Sequence, residues 1–428
     1  MALRVLMLAW EYPPLIEGGL ARHVGRLADA LADQGVMVQV LTRAPSGVVA
    51  GWDIPPARFT SGVRVERVEF EGCPRELDEF MRWVPRLNER LLQAAERLAV
   101  PDRFDLVHGH DWLVGPASSA LAERLGVPLV VTVHATEHGR HRGRVGQPPQ
   151  SDIHAAECAL ARRADAVICC SEFMRGHVAA ALGLRAGDLQ VIPNGSGLPA
   201  RRPPGAAAAM RSRYAREEQQ LVLLAGRLVY EKGFQVALEA MGTLAGGHPG
   251  LRFVVAGAGP YESELSQQAA RLGLGERGRF AGWVDDEDLA DLYAASDLCV
   301  VPSLYEPFGL VALEAMAAAC PCLVSATGGL RELVPPGAPG MCFAPGDAPA
   351  LARKLELALA NPGARRTMAA AAREHAASLS WDDVGAHTAA LYRGLTGVPE
   401  DRVGAPVLPD GRRSPAVGPS LRSSGAGH

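Results

Sequence analysis

The sequence predicts an α/β protein built from two doubly wound parallel sheets that face each other across a cleft. Short apolar runs alternate with longer amphipathic segments along almost the whole chain, the pattern of repeated β-α units. Many of these runs are apolar at successive positions, as strands buried on both faces require. A stretch rich in Gly, Pro and Ala, Gly195 to Ala209, separates two such series. With 428 residues, 48% hydrophobic and 21% charged, the chain has the length for two or three ordinary globular domains.

In the first series Arg4–Ala9 reads as a strand. The apolar stretch Leu3–Trp10 is short and meets Glu11 at once, so it is not read as a signal peptide. His23–Asp33 follows as a helix with Val24, Leu27, Ala28 and Leu31 on one face. Val36–Leu41 and Val63–Val68 are further strands, and Leu87–Leu98 is helical. Leu106–His108, Leu129–Val133, Ala166–Cys170 and Leu189–Ile192 complete the series, with helices between them. The second series has strands at Leu221–Ala225, Phe253–Ala256, Arg279–Ala281, Leu298–Val301, Cys322–Ser325 and Met341–Phe343. Helices are expected from Phe234 and near Glu262–Leu272, Asp288–Ala295, Leu310–Ala319 and Pro349–Ala360. Val384–Tyr392 is the last segment with a helical period. The Pro/Gly/Ser/Arg-rich tail, 398–428, is expected to be disordered.

Composition narrows the function. The net charge is −4, so nothing points to nucleic acid as a partner. Only Lys232 and Lys354 are lysines, and neither follows a glycine, which excludes a Walker A loop. The eight cysteines form no C-x-x-C pair. They read as reduced, mostly buried thiols in a cytoplasmic protein. No apolar run reaches the roughly 18–20 residues that span a bilayer, although a surface patch for peripheral membrane binding would leave no linear motif.

Several motifs fall where strands end, which is where such sheets carry their sites. Glu11-Tyr12-Pro13-Pro14, followed by Glu17-Gly18-Gly19-Leu20, lies between the first strand and the first helix. Paired glycines allow close backbone approach, and the helix N-terminus suits an anionic or sugar group. Gly226-Arg227-Leu228-Val229-Tyr230-Glu231-Lys232-Gly233 sets a guanidinium and an ammonium five residues apart, a reasonable clamp for a diphosphate. Glu306 and Glu314 have the spacing E-x7-E around Phe308-Gly309-Leu310. Glu306 is expected in the loop and Glu314 inside the helix that Gly309-Leu310 opens. His134 ends a strand and reads as a polar active-site group. The run His134, His138, His141 does not complete a metal site, because no cysteine or carboxylate set accompanies it. His108-Gly109-His110-Asp111 reads as a structural turn more readily than as a site. Gly257-Ala258-Gly259 lacks the third glycine of a dinucleotide fingerprint. Asp286-Glu287-Asp288 reads as N-cap and first-turn acids.

Together G-R-x4-K-G at 226–233, E-x7-E at 306–314, the Gly18-Gly19 loop and His134 resemble the retaining glycosyltransferases of family 4, over about residues 3–395. The resemblance implies the GT-B fold, two Rossmann-like domains. Residues 1–195 would bind the acceptor and 210–378 the nucleotide-sugar donor, with a helix at 380–395 crossing back onto the first. It implies a UDP-, ADP- or GDP-sugar donor, a carbohydrate or other hydroxyl acceptor, and no cofactor or metal. Arg227 and Lys232 would neutralise the departing diphosphate, Glu306 would hold sugar hydroxyls, and Glu314 the ribose. Phe308, Gly309 and Leu310 would present backbone N–H groups. Trp283 and Val284 would lie by the base, Gly257 near the nucleotide, Gly18 and Gly19 at the donor, and His134 beside the reacting sugar. The opening stretch is also similar to the K-x-G-G-L of glycogen and starch synthases, but lacks its lysine. The expected function is therefore sugar transfer with retention, to an α-glucan or another hydroxyl. A nucleotide-sugar epimerase and a non-catalytic nucleotide-sugar binder remain as alternatives.

Overall fold

The computed structural model describes residues 2–44, 51–53, 62–74, 76–98, 104–197 and 203–399. The expected disordered tail lies, from residue 400, outside the described residues. The first sheet has eight strands: β1 (Arg4–Leu8), β2 (Met37–Arg43), β3 (Gly51–Asp53), β4 (Val63–Val68), β5 (Leu106–His110), β6 (Leu129–Val133), β7 (Ala166–Cys169) and β8 (Leu189–Val191). Their order is β3-β4-β2-β1-β5-β6-β7-β8. Every pairing is parallel except that of β3 with β4. The second sheet has β9 (Gln220–Ala225), β10 (Leu251–Ala256), β11 (Gly278–Gly282), β12 (Leu298–Val301), β13 (Cys322–Ser325) and β14 (Cys342–Phe343). It runs β11-β10-β9-β12-β13-β14 and is parallel throughout. The two-sheet α/β architecture matches the sequence expectation.

The side-chain alternation along β1 shows why both faces must be apolar. Val5 and Met7 pack with Val24, Leu27 and Leu31 of helix Gly19–Asp33, and with Val384 and Tyr392 of helix Trp381–Thr396. Leu6 and Leu8 join the opposite cluster with Leu87, Leu91 and Leu121. In β9, Val222 and Leu224 pack with helices Phe234–Leu244 and Ala348–Ala360, while Leu221 and Leu223 join the cluster that includes Leu292 and Leu313.

Four local elements differ from expectation. The first helix begins at Gly19, not His23, because Gly18 caps it in extended conformation and the glycine pair hides the early start from a propensity reading. The second helix runs Leu77–Leu98 straight through Pro85. A proline there removes one helical hydrogen bond, but Trp83, Val84, Leu87 and Leu91 are buried along the same face, and that burial outweighs the loss. Helix Ala206–Tyr214 starts inside the stretch read as linker, since its alanine run favours a helix as much as a loop. Helix Pro362–Ala377 also lies between the expected elements.

In both sheets the strand order reverses at a central strand: β1 lies between β2 and β5, and β9 between β10 and β12. At such a reversal the loops diverge to opposite faces and leave a crevice at the carboxyl ends. The two halves touch there. A Cβ on Gly19 would stand 3.0 Å from Leu310 Cδ1. Ser171 Oγ donates to Pro307 O at 2.7 Å. Glu332 accepts from the N–H groups of Glu172 and Phe173, placing a carboxylate at the N-terminus of helix Glu172–Leu182, where the dipole favours it. The chain passes between the halves twice, and the passages meet: Ser196 bridges Ser380, and a Cβ on Gly195 would stand 2.5 Å from Trp381 N.

No helix among the described residues is long and apolar enough to cross a membrane.

Helix Trp381–Thr396 sits hard against helix Gly19–Asp33: a Cβ on Gly385 would meet Ala30 O at 2.7 Å and Ala30 Cβ at 2.9 Å. Gly385→Ala should therefore destabilise by about 1–3 kcal/mol, the usual range for overpacking. Gly394→Ala, in the same helix with nothing within 4 Å of its added Cβ, should be neutral or stabilising. Equal unfolding midpoints for the two variants would show that this packing tolerates the methyl group.

Candidate active site

The carboxyl ends of β1, β5 and β6 face those of β9 and β12, and several of the residues singled out from the sequence lie there, on both sides. Lys232 ends a short 3-10 turn, Tyr230–Lys232, after β9. Its Nζ donates to Glu306 Oε2 at 2.7 Å. Glu306 lies in the loop after β12, buried, and also accepts from Ser303 Oγ at 3.1 Å. A buried carboxylate needs such partners. Arg227 stands in the same loop as Lys232 with its side chain 45% exposed, and its one ion contact among the described residues is a long one, 3.8 Å, to Glu231. Its charge is felt by Glu11 on the other half, and it lies close enough to Arg140 for the two cations to oppose each other. Arg227 therefore faces the cleft as a largely uncompensated positive charge.

Phe308, Gly309 and Leu310 lead into helix Leu310–Ala317. Phe308 is buried. Gly309 has φ +113°, and a Cβ there would strike Leu330 Cδ2 at 2.5 Å, so the entry to this helix admits only glycine. Gly257, after β10, has φ +147° and would drive a Cβ into Gly226 O. Its lack of a side chain thus serves the backbone of the Arg227 loop, a reason that the fragmentary fingerprint did not disclose.

Glu314 lies inside the helix, as expected. It accepts from Tyr293 OH at 3.0 Å and faces Arg22 Nη1 at 3.7 Å. Burial raises its carboxyl above the usual range, while Arg22 and Tyr293 pull it back. Arg22 belongs to the first turn of helix Gly19–Asp33 and also binds Asp286 at 2.5 Å. Asp286 is thus an interdomain ion-pair partner. The N-cap of its helix is Asp285, which accepts from Asp288 N, one residue earlier than the sequence reading placed it. Trp283 stands two residues before that cap, 59% exposed, with Val284 half-buried beside it. The structure leaves Trp283 at the rim and does not bring it against the other candidates by any described contact.

On the opposite wall, Glu11 Oε2 accepts from the N–H groups of Glu17 and Gly18, at 2.5 and 3.1 Å. These bonds hold the Gly18-Gly19 loop. Burial raises the Glu11 carboxyl to about 7, against the pull of those bonds and of Arg227. His134, half-buried, follows β6, its N–H bonded to Asp111 Oδ1 at 2.8 Å. Burial pushes its imidazole down to about 3, so the ring is neutral near neutral pH.

His134 is not alone. Its Nε2 lies 3.1 Å from His110 Nδ1, and its ring centre is 4.5 Å from that of His23. His23 Nδ1 meets Asn194 Oδ1 at 2.6 Å. Behind them His108 bonds Tyr392 OH and Thr132 Oγ1. His108 and His110 are therefore fully buried strand residues of β5 and not a turn. His138 lies instead beside His154 and His177, and His141 beside Glu137, so the run His134, His138, His141 forms no single cluster. Arg22, His23 and Asn194 also line the candidate site and were not singled out in the sequence; Glu11 belongs to the opening motif named there, and His110 to the stretch that read more readily as a turn. Glu11 and Asn194 share one usable signal, their place just beyond a strand. Arg22 and His23 carried none, because an amphipathic first turn reads as ordinary helix.

Comparison with known proteins agrees with the two-sheet fold. The family described as Glycosyltransferase Family 4 matches residues 17–196, and that described as Glycosyl transferases group 1 matches residues 207–375. A glycogen synthase of Mycobacterium tuberculosis is 39% identical over 399 residues, covering 91% of this chain and 94% of that protein. A D-inositol 3-phosphate glycosyltransferase of Streptomyces scabiei is 33% identical over 410 residues, covering 91% and 90%. Among solved structures, sucrose-phosphate synthase from Thermosynechococcus elongatus superposes with a TM-score of 0.78 at 26% identity, covering 92% of this chain and 99% of that one.

The Glu11 carboxyl carries a pH signature. Its folded value of about 7 lies above the ordinary 4.5, so between these values the folded protein holds a proton that the unfolded chain has released. Its contribution to stability is complete below about 4.5 and is lost as pH rises through 7. Glu11→Gln, which keeps an oxygen for the two N–H groups, should raise the thermal midpoint at pH 8, with the gap closing toward pH 4.5. An unchanged or lowered midpoint at pH 8 would mean that the carboxylate is well solvated.

Proposed function

Because the chain belongs to glycosyltransferase family 4 and is a glycosyltransferase of the GT-B type, we propose that it moves a glucosyl unit from a nucleoside-diphosphate glucose to a hydroxyl of an α-glucan, with retention at the anomeric carbon. The observation that carries this reading is the Lys232–Glu306 pair, whose lysine shares a loop with the exposed guanidinium of Arg227.

In this reading the bond from the sugar's anomeric carbon to the diphosphate breaks as the bond to the acceptor oxygen forms, and the acceptor's proton leaves with the diphosphate. Negative charge builds on the departing phosphoryl oxygens. Arg227 and Lys232 lie ready for it, and preorganised charge of this kind is usually the largest catalytic term. Glu306 orients Lys232 and accepts from sugar hydroxyls. The N–H groups that open helix Leu310–Ala317 add positive potential at the phosphate. Glu314 is the ribose partner, with Gly257 close to the nucleotide and Trp283 and Val284 at the base. Gly18 and Gly19 allow the donor to approach closely. His134 stays uncharged beside the sugar and offers a hydrogen bond without competing for the diphosphate. No metal or other cofactor is required by this scheme.

An uncharged acceptor is favoured by the wall around β1. Arg43 is 3% exposed and is held by Glu17 at 2.5 Å, while Arg67 donates to Pro13 O at 2.6 Å. Both cations are committed to the fold, which suits a glucan better than a phosphorylated acceptor such as the one named for the Streptomyces relative. The extent of the likeness to the Mycobacterium glycogen synthase supports the same choice.

The direct test is a donor-by-acceptor screen with mass-spectrometric products. UDP-, ADP- and GDP-glucose are offered with maltooligosaccharides, glycogen or inositol phosphate. Elongated maltooligosaccharides are expected. Products on inositol phosphate alone would overturn the acceptor assignment, and sugar epimers formed without acceptor would favour epimerase chemistry. Donor binding without turnover on any acceptor would favour a non-catalytic role.

Lys232→Ala should lower kcat/KM about 10²–10³-fold, comparable to the loss of one transition-state donor, and should also lower the unfolding midpoint, because Glu306 is left buried without its cation. Near-normal turnover would remove Lys232 from the clamp. Glu306→Gln should likewise be a kinetic defect, and unfolding in that variant would make the carboxylate a structural group.

A further inference from the structure

The histidines behind the cleft have a geometry that the transfer reaction does not use. His23, His110 and His134 come from three separate elements: the first helix, the end of β5 and the residue after β6. One ring nitrogen from each can be chosen so that all three lie within 4.8 Å of one another. Their ring centres are 4.5, 5.4 and 5.5 Å apart. Three imidazoles on one tetrahedral zinc ion, with Zn–N bonds of about 2.0–2.1 Å, have ring centres about 5 Å apart. The 3.1 Å between His110 Nδ1 and His134 Nε2 also suits two nitrogens on one ion.

Two further features suit a metal better than a packed polar core. His23 Nε2 is buried without a hydrogen-bond partner among the described residues, and buried polar atoms are rarely left so. His23 Nδ1 faces Asn194 Oδ1 at 2.6 Å. An amide oxygen can only accept, so Nδ1 carries the proton and Nε2 holds its lone pair. A carbonyl oxygen on the far nitrogen is the usual second partner of a metal-bound histidine. His134 is half-buried while His23 and His110 are buried, so a fourth, exchangeable ligand would reach the ion from the His134 side, as in three-histidine zinc sites.

We propose that His23, His110 and His134 form a binding site for a zinc-class divalent cation. The ion competes with the use of His134 at the sugar and is not needed for the transfer. Imidazole suits zinc, copper and nickel in preference to magnesium or calcium, so the site would leave magnesium-containing conditions without effect and respond to zinc.

The test uses the full-length, untagged, metal-stripped chain, titrated with Zn²⁺ against a chromophoric chelator and, separately, with Co²⁺. One saturable equivalent is expected, with the intense visible bands of tetrahedral cobalt and an increase in the thermal midpoint on zinc addition. His23→Gln and His110→Gln should each lose that equivalent. Asn194→Ala should weaken it about 10–100-fold, as loss of an outer-shell partner does. His154→Gln, outside the cluster, should change nothing. If either glutamine variant fails to fold, the cobalt spectrum of the parent chain and the Asn194→Ala affinity still decide. Failure to bind zinc, weak octahedral-type cobalt bands, or an equivalent that persists unchanged in the folded glutamine variants would overturn the site. Zinc should also inhibit glucosyl transfer. That part alone rests on the proposed function, and binding without inhibition would keep the metal site while removing His134 from the sugar.

Discussion

The reversal of strand order at β1 and again at β9 is the constraint on which the rest of the molecule depends. Each reversal turns neighbouring connections to opposite faces of its sheet and opens a crevice at the carboxyl ends of the strands. With the crevices opposed, loops distant in sequence become neighbours: Gly19 against Leu310, Arg22 against Asp286 and Glu314, and Ser171 against Pro307. The helix Trp381–Thr396 closes the arrangement by returning to pack on the first helix. It also ties Tyr392 to His108 beneath the histidine cluster.

The charges in the cleft follow from this enclosure. A carboxylate or guanidinium taken from water needs a partner, and most here have one already. Lys232 holds Glu306, Arg22 holds Asp286 and Glu314, and Arg43 holds Glu17. Where compensation is incomplete the group resists ionisation, as at Glu11, which is raised to about 7 despite two backbone N–H bonds. Arg227 is the contrasting case: a cation whose one ion contact among the described residues is a loose one, to Glu231. A diphosphate would supply what that arrangement lacks. The buried histidines respond to the same enclosure by staying neutral, the state in which an imidazole can offer a lone pair.

The sequence alone determined the α/β class, most strand positions and the loops that reach the cleft, because strand burial on two faces and glycines at strand ends leave local marks. The Gly226–Gly233 loop, the E-x7-E pair and His134 were legible as short patterns. Only the tertiary structure decided what those residues face. That Lys232 pairs with Glu306, 74 positions away, and that Arg22 spans to Glu314, has no local signature. Neither has the meeting of His23, His110 and His134, since each sits in an ordinary element and their proximity comes from the packing of a helix across two parallel strands. His108-Gly109-His110 read as a turn for the same reason: the partners that satisfy both ring nitrogens of His108 inside the sheet, Tyr392 and Thr132, come from other elements.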